Sequence, residues 1–198
     1  MELLIYGLLI ITSVVGLAFI IERGLALRWA KVIPPNLESA MRACKTRDDV
    51  DLLQHACVQN PSPLGRLLGL ASEHLDWPKA ENVDAVQTQA RHEIVRLERG
   101  LVVLEVIVGI APLLGLVGTI AGMMSLFGDL GEAGLDNTAA LAGGIGLILN
   151  ATLMGLLIAI PSLIAWSYFN KKVETMTVEM ETLCDQFLRR QYRGSAGN

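Results

Sequence analysis

Thr119 and Thr152 stand deep in strongly apolar stretches, Thr119 within Ala111–Phe127 (APLLGLVGTIAGMMSLF) and Thr152 within Thr138–Phe169. A hydroxyl donates one hydrogen bond and accepts others, and an isolated polar group at membrane depth faces a bundle interior or a water-filled cavity rather than lipid. The pair therefore points to a polar path between helices. Asn150 adds an amide just ahead of Thr152, and Glu105 adds a carboxylate ahead of the stretch that holds Thr119. Other chemistry is poorly supplied. Cys44, Cys57 and Cys184 form no CxxC, and His55, His74 and His92 form neither H-x-x-H nor HExxH, so no metal site is expected. With no G-x-x-x-x-G-K-[ST] and no Ser/His/Asp set, the chain reads as neither an enzyme nor an ATP-driven component, and no cofactor is implied.

The elements that must position these residues are membrane helices. Hydrophobic residues make up 52% of the 198 and charged residues 18%, with a mean hydropathy of +0.46, a balance that leaves too little charge to cover a soluble surface. A helix needs about 20 residues to cross a hydrocarbon core roughly 30 Å thick. Three runs meet that length: Leu3–Ile21, Val106–Phe127 and Leu141–Phe169, the last overlong and so tilted or projecting. Leu3–Ile21 has no basic start and no small-x-small pattern before Glu22-Arg23, so it reads as a retained helix rather than a cleaved signal.

Charge sets the orientation. All 16 Lys and Arg fall in 23–99 or 171–193, while Glu2, Asp129, Glu132 and Asp136 occupy the N-terminus and the short loop before the third span. By the positive-inside rule the basic segments and the C-terminus are cytoplasmic, and the N-terminus and acidic loop face outward. The expected setting is a bacterial inner membrane, with lipid as a partner and no nucleic acid. The three cysteines then lie where thiols stay reduced.

Along the chain, residues 1–32 read as the first span and an interfacial anchor of Leu25, Leu27 and Trp29 with Arg23, Arg28 and Lys31, ending before Pro34-Pro35. Residues 33–81 read as a cytoplasmic loop of short helices at 36–46, 49–59 and 63–75, too poor in large apolar residues for its own core and so packed on neighbours. From Asn82 a stripe of Val83, Val86, Ala90, Ile94, Leu97, Leu101 and Leu104 predicts one long helix over 82–127, with Arg91, Glu93, Arg96 and Arg99 mainly on other faces. A short periplasmic loop at 128–137 follows. Residues 138–193 read as the third span plus a cytoplasmic extension with a Val173, Met176, Met180, Leu183, Phe187 seam, and 194–198 as a frayed tail.

Spans two and three are unusually rich in small residues. Gly115, Gly118 and Gly122 line the second, and the i+4 row Ala139, Gly143, Leu147, Ala151, Gly155, Ala159 in the third is small at every position but one. Such ridges let helices approach closely without a hydrophobic drive. Tight packing alone would also account for them. Pro112 and Pro161 each remove a donor inside a span.

These residues carry a family resemblance. Ala111-Pro112-Leu-Leu-Gly115-Leu-Val-Gly118-Thr119-Ile-Ala-Gly122 resembles the second-span signature of the MotA/TolQ/ExbB proton-channel family. Gly144-Ile-Gly, Ala151-Thr152-Leu-Met-Gly155 and Ala159-Ile-Pro161 resemble its third-span signature, and three spans fit the ExbB/TolQ branch. The resemblance implies an all-α membrane protein assembled as a homopentamer around a single-span partner like ExbD or TolR, whose intramembrane aspartate carries protons to drive work on the envelope. It implies that Thr119 and Thr152 line the pore facing that aspartate. Relatives carry a glutamate five residues before the third-span threonine, where this chain has Leu147. Asn150 falls within about 60° of the same helical face and keeps polarity there without a titrating group; an interhelical hydrogen bond for assembly is the equal alternative. Glu105, roughly 21 Å along the helix from Thr119, is either a proton-exit group or a solvated carboxylate beside Arg99 or Lys171. A non-conducting scaffold of the same fold is the alternative function, favoured by Leu147.

Overall fold

The computed structural model describes residues 2–44, 46–133 and 138–195, and every element among them is helical. In order these are α1 (Glu2–Ala26), α2 (Trp29–Val32), α3 (Pro35–Ala43), α4 (Val50–Gln59), α5 (Pro63–Glu73), α6 (Lys79–Glu98), α7 (Leu101–Ala133) and α8 (Thr138–Ser195), with a 3-10 turn at Arg47–Asp49. Leu3–Ala26, Leu101–Gly128 and Ile148–Arg193 are long and apolar enough to cross a membrane. The 58 residues of α8, at about 1.5 Å each, far exceed a ~30 Å hydrocarbon core, so this helix continues beyond it. Pro112 and Pro161 both lie inside helices that run on through them.

The single helix expected over 82–127 is interrupted: α6 ends at Glu98 and α7 begins at Leu101. Gly100 lies in the break. A Cβ placed on it would stand 2.6 Å from Arg23 Nε and 2.8 Å from its Cζ, so the guanidinium of α1 occupies the space a side chain would need. The first helix also stops short of Val32, because Arg28 is extended (φ −73°, ψ 134°) and turns the chain. At the far end of the second span the helix persists to Ala133, so the start of the expected 128–137 loop is helical; residues 134–137 lie outside the described residues. Gly194 and Ser195 still belong to α8, and the rest of the expected tail lies outside the described residues as well.

The chain divides into two compact units: Met1–Arg23 with Gly100–Tyr168, and Gly24–Arg99 with Phe169–Asn198. The second has a core of its own. Val173, Met176, Met180, Leu183 and Phe187 of α8 are each at most 2% exposed, as are Leu37, Met41, Leu53, Leu64, Leu67 and Leu68. The neighbours that the 33–81 segment needs are therefore in this chain, in α6 and the distal half of α8. Local signals fix its short helices. Pro35 and Pro63 open α3 and α5 at the first turn, and the Ser62 hydroxyl accepts from Gly65 N at 3.1 Å. Polar ties close the unit: Asn82 Nδ2 donates to the Ala71 and His74 carbonyls at 3.0 and 2.9 Å, and Tyr192 Oη donates to the Trp77 carbonyl at 2.9 Å. Burial pushes the thiols of Cys57 and Cys184 up to about 11 and about 12, so both stay protonated and unreactive.

Glu93 corrects the facial reading of α6. It is fully buried, and its carboxylate accepts from Arg66 Nε at 2.8 Å and Nη2, Gln89 Nε2 at 3.0 Å and Arg96 Nη1 at 3.2 Å. Burial works to raise its pKa, but the Arg66 hydrogen bonds and charge, with help from Arg96 and Gln89, outweigh it and hold the carboxyl below its usual value. A depressed folded-state pKa contributes stability that is fully present above about pH 4.3 and lost as pH falls through the folded value. Arg66→Ala leaves the buried charge without its main partner, a change that costs about 3–5 kcal/mol. The expected result is a lower thermal midpoint for the detergent-solubilised protein at neutral pH, which Glu93→Gln in the same background partly restores. Equal midpoints for wild type and Arg66→Ala would refute it.

Candidate functional site

In the first unit α7 and α8 meet along a seam from which side chains have been almost removed. Ala111 and Ala151 are 0% and 1% exposed, and Gly115, Gly118, Gly122 and Gly155 are buried. A Cβ on Gly155 would stand 2.5 Å from the Ala111 carbonyl oxygen, and one on Gly115 would stand 2.8 Å from the Ala151 oxygen and 2.9 Å from Thr152 Cα. A Cβ on Gly118 would meet Ala151 Cβ at 2.6 Å and Ile5 of α1 at 3.4 Å. The helices thus approach backbone to backbone, as small-residue ridges permit in lipid. Ile107, Ala111 and Ala159 continue the contact as a small apolar core flanked by Val103 and Ile158.

Both threonines lie on this seam. Thr152 Oγ1 donates across it to the Gly115 carbonyl at 3.3 Å, and Thr119, one turn after Gly115, is 8% exposed and donates to Leu116 O at 2.7 Å. Each hydroxyl proton is therefore committed within the chain, while lone pairs remain to accept a proton donor. The other expected site residues are not gathered there. Asn150 is exposed, as are Glu105 and Pro161, and Pro112 is half-buried. The surroundings of Gly143 and the side chain of Leu147 lie outside the described residues.

Among the described residues of the spans, one buried polar group was not singled out by the sequence. Ser162 is 2% exposed, donates to the Ile158 carbonyl at 2.8 Å, and sits 3.4 Å from where a Cβ on Gly16 would be. The signal was a glycine in α1 that leaves room for it. Its hydroxyl is bonded to its own helix and serves packing. Among the described residues no group of three or more His, Cys, Asp or Glu is arranged to hold a metal.

Three helices long and apolar enough to cross a membrane, two of them meeting on a glycine–alanine seam that carries hydroxyls, define a polytopic α-helical membrane protein. Comparison with known families makes the class particular: residues 64–182 match the model of the MotA/TolQ/ExbB proton channel family, and the chain belongs to that family, on its ExbB branch. It is 35% identical over 118 residues to the biopolymer transport protein ExbB of Helicobacter pylori strain J99, covering 56% of this chain and 81% of the relative. It is 31% identical over 105 residues to ExbB of Aquifex aeolicus, covering 53% and 70%. A putative biopolymer transport protein ExbB-like 1 of Synechocystis matches over 168 residues at 32%, covering 80% and 63%.

Proposed function

We propose that this chain is the ExbB-like subunit of an inner-membrane motor driven by the proton-motive force. Five copies form a sleeve around a single-span ExbD/TolR-like partner, and proton flow through the partner's intramembrane carboxyl is coupled to work on the cell envelope. The observation that carries this reading is the placement of Thr119 and Thr152 on the backbone-to-backbone seam of spans two and three in a member of this family. Their free lone pairs can receive the proton of a neutral carboxylic acid, and rotation of either hydroxyl lets it donate to the carboxylate. The chain itself supplies hydroxyls and a packed sleeve, with Leu147 where relatives carry an acid, so the titrating group belongs to the partner. Asn150 contributes polarity on the outer face of α8, and Glu105, exposed near the start of α7, is a solvated carboxylate at the mouth. The excess of Lys and Arg in 23–99 and 171–193 puts those segments and the C-terminus in the cytoplasm and the N-terminus in the periplasm.

Leu147 supports a second reading, a scaffold of the same fold that does not conduct. The two separate when the chain is co-expressed with a single-span, aspartate-bearing protein encoded beside it. The motor reading expects a stable complex and proton flux into proteoliposomes that disappears when the partner's aspartate becomes asparagine. A complex that forms but carries no flux would establish the scaffold.

A further inference from the structure

The corner between α1 and α2 presents charges that make no ion pair among the described residues. Leu27, Val32 and Ile33 are 1%, 2% and 1% exposed, and the Phe169 ring comes to 3.8 Å from where a Cβ on Gly24 would stand. These contacts pin the corner to the core of the second unit. The extended Arg28 and the single turn of α2 then turn Arg28, Trp29 and Lys31 outward together, all exposed. Neither Arg28 nor Lys31 has an ion pair among the described residues. Trp29 is 43% exposed and Leu25, one turn earlier, 48%. All four residues lie within a few positions of Ala26, where the first candidate span ends, so chain connectivity places them at headgroup level.

We propose that this corner is a binding site for acidic phospholipid headgroups, with Arg28 and Lys31 as the paired charges and Trp29 as the ring that sets depth. The chemistry selects the occupant. Two cations fixed at one end of an apolar helix, with an amphipathic indole between them, match a phosphodiester anion whose acyl chains lie along the exposed apolar face of α1. A zwitterionic headgroup would bring its own cation against Arg28 and Lys31. Backbone order matters because a corner held by buried neighbours loses little main-chain freedom on binding, unlike a loose tail. This site is independent of proton conduction and concerns the lipid that the assembled protein recruits.

Trp29 supplies its own reporter. The full-length chain carrying Trp77→Phe and Trp166→Phe is reconstituted in phosphatidylcholine vesicles containing a minor fraction of phosphatidylglycerol, with bromine on the acyl chains of one lipid or the other. Bromine on phosphatidylglycerol should quench Trp29 well beyond that lipid's share of the bilayer, an enrichment of roughly fivefold per cation. Arg28→Gln with Lys31→Gln should bring quenching down to the bulk share. Raising salt on the unsubstituted corner should do the same in part by screening, which tests the idea even if the double variant misfolds. Quenching at the bulk share in the parent, or an enrichment that neither salt nor the double variant reduces, would overturn the proposal.

Discussion

Thr152→Val should abolish proton-coupled output while the complex remains assembled. Valine reproduces the shape of threonine and removes only the hydroxyl, and with it the bond to the Gly115 carbonyl at 3.3 Å. A single interhelical hydrogen bond in a membrane contributes about 0.6 kcal/mol on average, small beside the backbone-to-backbone contact of Ala111, Gly115, Ala151 and Gly155. The seam therefore survives and the chemistry does not. Thr152→Ser, which keeps the hydroxyl, should retain much of the output, and Thr119→Val should resemble Thr152→Val because it removes the second acceptor on the seam. Flux into proteoliposomes, with complex size measured in parallel, separates loss of function from loss of assembly. Full output from both valine variants would remove the threonines from the proton path and leave them as packing residues.

Much of this architecture could be read from spacing because lipid and helix geometry impose strong rules. Apolar runs of sufficient length marked the three spans, and the repeat of Val173, Met176, Met180, Leu183 and Phe187 marked a face that the structure buries. Gly115 and Gly118 of α7, and Ala151 and Gly155 from the i+4 row of α8, stand where the two helices meet. Such features are periodic along one helix, so a single sequence displays them.

What stayed hidden depends on residues far apart in the chain. Glu93 sits between Ala90 and Leu97 in the buried rhythm of α6, but a carboxylate there makes sense only with Arg66, 27 positions away. Gly100 looks like one tolerated glycine in a helical stripe until Arg23 is found over its α-carbon. The seam itself was legible only as two ridges. That Thr152 spends its proton on Gly115, while Asn150 stays on the outside, follows from the rotation of one helix against the other, and no local pattern records that.

The sharpest consequence of that rotation falls on Gly155. A Cβ there would lie 2.5 Å from the Ala111 carbonyl oxygen and 3.3 Å from Gly115 Cα. Both atoms are backbone, so no rotamer change can make room and the helices must separate. Excess volume in a packed interior costs about 1–3 kcal/mol per insertion even where side chains can adjust, and leucine at 155 adds a whole side chain against main chain. Separation would also stretch the Thr152 bond to Gly115 beyond reach. Gly155→Leu should therefore prevent accumulation of protein that resists trypsin in detergent, and Gly155→Ala should lower the thermal midpoint. Gly109 in α7 is the control, because a Cβ there meets nothing within 4 Å. Gly109→Ala should hold or raise the midpoint, since alanine favours a helix over glycine by about 1 kcal/mol. If the two alanine variants melted together, close approach at Gly155 would not be what holds α7 to α8.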